Sequence, residues 1–60
     1  MQNLFDDNDR YTHEADSLDN EAYALLKPLM EKYCRLGYSV RQIEYVMTKT
    51  VADVALGNIL

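Results

Sequence analysis

The stretch Leu36-Gly37-Tyr38-Ser39-Val40-Arg41-Gln42-Ile43 decides the fold. Glycine enters the left-handed backbone region without a Cβ clash, so Gly37 is a stop signal for a helix ending at Leu36. Ser39 is a natural N-cap, and Gln42, three residues on, completes a capping box. Tyr38 and Ile43 stand at the two positions of a hydrophobic staple. One helix stops and another starts within three residues, so the two must be neighbours, as in an αα-hairpin.

Upstream of the junction the chain repeats with a helical period. At about 100° per residue, Tyr11, Ala15, Leu18, Ala22, Leu25, Leu26, Leu29, Tyr33 and Leu36 fall on one arc, with His13, Asn20, Lys27, Glu31 and Arg35 opposite. The spacing predicts a helix over about 12–36, capped by Asp9 or Thr12. The competing start is Leu18, with Ser17 as its cap. Pro28 lies on the polar side, where it removes one backbone donor and is expected to bend the helix. Glu31 and Arg35 are set for an i,i+4 ion pair.

Downstream, the start signal predicts a second helix over about 40–56, closed by Gly57 and Asn58. Val40, Ile43, Met47, Thr50, Val51 and Val54 share one face, and Tyr45, Ala52 and Leu56 form a thinner apolar line. Residues 1–10, with Asp6-Asp7-Asn8-Asp9 at their centre, read as an irregular, flexible acidic arm. The expected fold is all-α: a two-helix hairpin domain over 11–60 preceded by that arm.

Sixty residues allow one domain at most and exclude the large α/β enzyme folds. An apolar share of 48% with 27% charged residues is globular and not disordered. No run approaches the ~20 apolar residues of a membrane span, and the N-terminus lacks the basic and apolar regions of a signal peptide, so a cytoplasmic protein is expected. The lone Cys34 cannot pair within the chain, and the lone His13 leaves no metal set. His13 lies beside Glu14, Asp16 and Ser17 with no glycine-rich elbow or oxyanion loop. No catalytic residue, metal or cofactor is expected.

The net charge of -4 is unevenly spread. Asp6, Asp7, Asp9, Glu14, Asp16, Asp19 and Glu21 precede Ala22 with only Arg10 against them, whereas bases outnumber acids in the remainder. An acidic front suits a solvated helix start, where the helix dipole favours acids, or a basic partner.

Size and patterning together imply a companion. Helices of roughly 37 Å and 25 Å differ in length, so in an antiparallel hairpin Tyr11, Ala15 and Leu18 extend past the second helix. Adding Tyr23, Met30 and Cys34 widens the apolar arc of the first helix to about half its circumference, more than one partner helix covers. Chains below ~70–80 residues commonly need a disulfide, a metal or oligomerisation. Self-association into a helical bundle, most simply a dimer, is expected, with Tyr11, Leu18, Tyr23, Leu26, Met30, Tyr45 and Leu56 as its surface.

The expected function is a non-enzymatic interaction module, homodimeric or bound to a larger protein, acting by surface occupation as an accessory regulator, inhibitor or assembly factor. Small size and an acidic front are also common among phage and mobile-element proteins. An alternative rests on residues 32–49, which have the look of a helix-turn-helix. Arg35, Arg41, Gln42, Tyr45 and Lys49 would then face nucleic acid, although Tyr33 is large for the inner packing position and the net charge opposes phosphate. A further alternative is an acidic mimic that blocks a nucleic-acid-binding protein.

Overall fold

A computed structural model describes residues 2–59, with Asn58 and Ile59 as backbone only. Met1 and Leu60, the outer ends of the expected arm and domain, lie outside the described residues. The chain is all-helical in its regular structure: α1 spans His13–Arg35, α2 spans Val40–Val54, and a π-helical turn spans Ala55–Ile59.

The start of α1 is chemical. Thr12 is extended at φ -73° and ψ 173°, and its hydroxyl accepts the Ala15 N–H at 3.3 Å. Thr12 is therefore the cap, not Asp9 or Ser17, and Glu14 and Asp16 occupy the first turn, where the dipole favours them. The helix continues through Pro28. Its last turn carries Lys32 and Arg35, the complementary sign. The expected Glu31–Arg35 pair does not form; among the described residues the one ion pair is Lys49–Asp53, at 3.0 Å. Surface pairs of this kind gain little, and side-chain entropy decides against them.

The end of α1 uses Gly37 as expected. Its φ is 101°, the Gly37 N–H donates to the Cys34 carbonyl at 3.0 Å, and the Tyr38 N–H reaches back to Tyr33 at 3.2 Å. These are the two bonds of a Schellman ending, with Tyr38 and Tyr33 as its apolar pair. Two residues later α2 begins on Ser39, whose Oγ accepts the Gln42 N–H at 3.1 Å. The expected capping box is half made, because the Gln42 side chain holds no hydrogen bond among the described residues. Gln42 lines an open groove between the helices.

The end of α2 differs from expectation. The α-helix stops at Val54, and the backbone widens into the π turn. The Ala55 N–H is shared between the Ala52 and Val51 carbonyls. Gly57 is not left-handed and sits inside the turn, so neither it nor Asn58 closes the helix. Glycine permits the left-handed conformation but does not impose it.

Residues 4–12, expected as part of a featureless arm, close into a loop. Asp6 Oδ1 accepts the N–H groups of Asn8 at 2.8 Å and Arg10 at 3.0 Å. The Asp6 N–H donates to the Arg10 carbonyl at 2.8 Å, and the Asp9 N–H to the Asp6 carbonyl at 3.1 Å. Asp9 takes the left-handed turn, at φ 59°. Phe5 and Tyr11 then meet in an antiparallel bridge with rings 5.5 Å apart, edge to face. Thr12 donates from both its N–H and its hydroxyl to the Leu4 carbonyl, at 3.0 and 3.1 Å. The boundary expected between residues 10 and 11 is thus crossed by a pairing, and the residue that caps α1 also ties down the loop.

The helices do not close on each other. Ala15 (5% exposed) and Ile43 (8%) are the buried apolar residues among those described. Ala15, expected to stand uncovered, is buried at the foot of α1 where the loop returns. Tyr33, expected on the apolar arc of the first helix, and Tyr38, expected as the staple residue, are both exposed. The radius of gyration is 14.3 Å and the extents are 42 × 24 × 17 Å, against about 10 Å for a compact chain of this length.

Candidate functional site: two apolar grooves meeting at Leu26

The splay between the helices leaves a groove of about 890 Å³. Leu26, Leu29 and Tyr33 of α1 form one wall, and Ile43, Met47, Thr50 and Val51 of α2 form the other. Thr50 belongs here because its hydroxyl donates to the Val46 carbonyl at 3.0 Å, which satisfies the polar group and leaves the methyl to the groove. The residues expected on the apolar faces of the two helices are therefore the walls of an open cleft.

A second groove, of about 620 Å³, runs along the other side of α1. Ala22, Leu26, Met30 and Cys34, spaced four apart, share it with Tyr23 and with Val40 from the start of α2, and Asp19, Lys27, Glu31 and Arg35 border it. Lys27 holds its ammonium 5.6 Å from the Tyr23 ring centroid, a contact worth about 0.5–1 kcal/mol at an exposed site. Leu26 lines both grooves.

The seven residues expected as an association surface divide between these features. Leu26 joins the grooves, Tyr23 and Met30 lie in the second, and Tyr45 lies in the first. Tyr11 is committed to the ring pair with Phe5, and Leu56 is exposed in the π turn. Leu18 (54%), Tyr23 (62%) and Tyr45 (74%) are exposed, and Met30 is half-buried. Sequence reasoning did not pair Phe5 with Tyr11, and it placed Leu29, Met47 and Val51 on apolar faces without saying which chain covers them.

The five residues of the alternative nucleic-acid face are placed as follows. Arg41, Gln42 and Tyr45 line the first groove and Arg35 the second, while Lys49 is held by Asp53. Cys34 is exposed and unbridged. Among the described residues no group of three His, Cys, Asp or Glu is placed to hold a metal ion, and no helix is long and apolar enough to cross a membrane. Comparison with protein-family models, with curated proteins and with solved structures gave no match.

Proposed function

We propose that this chain is a non-enzymatic helical interaction module that works by covering and being covered, as a homodimer in the first instance and through it on a larger protein as an accessory regulator, inhibitor or assembly factor. One observation carries the reading. The accessible surface is 5752 Å², whereas a compact monomer of 7.0 kDa presents about 4,000 Å². The surplus, about 1,700 Å² on one chain, is about twice what each partner buries in a standard-size protein interface. Much of it is apolar: Leu18, Tyr23, Leu25, Tyr45 and Val51 all stand exposed, and contiguous exposed apolar surface marks an interaction site in a soluble protein. The test is sedimentation equilibrium at micromolar concentration. Twice the chain mass is expected, and a monomer with a cooperative melt overturns the reading.

A further inference from the structure

We propose that two copies of the chain cross antiparallel through α1, with Leu26 on the two-fold axis. The inference rests on the dimer reading above and adds the surface and the orientation.

Three features of α1 converge on this crossing. The first is the row Ala22, Leu26, Met30. Side chains four apart form the ridges that interdigitate in the commonest helix crossings. A two-fold interface requires the ridge to fit its own reversed image. Reversed about Leu26, small Ala22 meets large Met30 on both sides, and the residue shared by both grooves meets itself.

The second feature is charge. The first half of α1 holds four acids and no Lys or Arg; the second half holds three bases and one acid. A parallel crossing sets acid beside acid, and an antiparallel one sets each acidic half beside a basic half. None of these charged side chains has an ion-pair partner within the chain among the described residues.

The third is area. Two open chains present twice 5752 Å², whereas a compact protein of the combined mass presents about 6,700 Å². The difference, about 4,800 Å², lies in the range of obligate homodimers, 2,000–5,000 Å² or more. The same crossing brings each α2 alongside the first half of the other α1, where Leu18 lacks cover.

Cysteine cross-linking tests the geometry on the full chain. A22C/C34S and M30C/C34S are prepared separately and then mixed under a thiol oxidant. Like positions lie about 12 Å apart along the crossing, beyond disulfide reach, so neither variant alone is expected to form a covalent dimer and the mixture is. Wild type, with Cys34 alone, is expected to remain uncross-linked. Covalent dimers of either single variant, or of wild type through Cys34, indicate a parallel pair and overturn the proposal. A sedimenting dimer that gives no band in the mixture overturns the crossing while leaving the dimer; a sedimenting monomer overturns both.

Discussion

Tyr33 and Tyr38 face each other across the helix junction with ring centroids 6.2 Å apart and planes inclined by 45°, and the Tyr38 N–H donates to the Tyr33 carbonyl. The pair spans the one glycine in a left-handed conformation. A backbone bond and a ring contact thus fix the same corner, so the direction in which α2 leaves α1 is set locally before any contact between the helices is made.

Replacing Gly37 tests that corner. A Cβ would meet nothing within 4 Å there, so the effect is conformational and not steric crowding. Gly37→Ala is expected to lose about 1–2 kcal/mol, the ordinary penalty of a left-handed alanine. Gly37→Asn is expected to lose less, because asparagine tolerates that region. Urea unfolding at fixed protein concentration measures both; an alanine variant with the wild-type midpoint would remove the corner from the account.

Ser39 and Gln42 separate the two arms of the cap. Ser39→Ala is expected to cost about 1 kcal/mol, equivalent to roughly 4–8 °C in Tm for a domain of this size. Gln42→Ala is expected to shift Tm little, because only its backbone N–H takes part. Equal losses in the two variants would indicate a complete capping box.

Asp6 organises the N-terminal loop with one carboxylate oxygen and two N–H donors. In Asp6→Ala, amide exchange at Asn8 and Arg10 is expected to rise toward unprotected rates, and the Phe5 and Tyr11 ring resonances to lose their mutual shift. Helical circular dichroism should hold, since Thr12 still caps α1. Retained protection at Asn8 and Arg10 would show that the backbone bonds suffice alone.

Leu26 belongs to both grooves, so Leu26→Asp is expected to convert the dimer to monomer in sedimentation. Wild-type Tm should rise with protein concentration, as mass action requires of a folded state stabilised by association, and the variant's should not. Lys49→Ala is the control: its exposed ion pair with Asp53 is expected to contribute less than about 0.5 kcal/mol.

The local signals were legible where one residue type has one strong reason to be in its place. Thr12, Gly37 and Ser39 define three helix ends through short-range hydrogen bonds, and the sequence reading placed the junction residue by residue. The end of α2 was misread because Gly57 offers a conformation without requiring it. The loop at Asp6 was recognised as turn chemistry, but its closure depends on the pairing of Phe5 with Tyr11, two residues that local propensity does not connect. The grooves were half visible. Periodicity identified Ile43, Met47 and Val51 as an apolar face, yet periodicity reports only that a face is to be covered. Whether α1 of the same chain covers it depends on the splay of the helices, which is a tertiary quantity.

The four-residue linker between α1 and α2 carries a hydrogen-bonded ending on one side and a hydrogen-bonded beginning on the other. A junction tied at both edges has little freedom to sample other angles. On the proposed association, an incoming helix would meet a groove whose corner is already tied, and fewer torsions would freeze than in folding a slack hinge. Affinity in such a design comes from conformational freedom surrendered early, during folding, rather than at the moment of encounter.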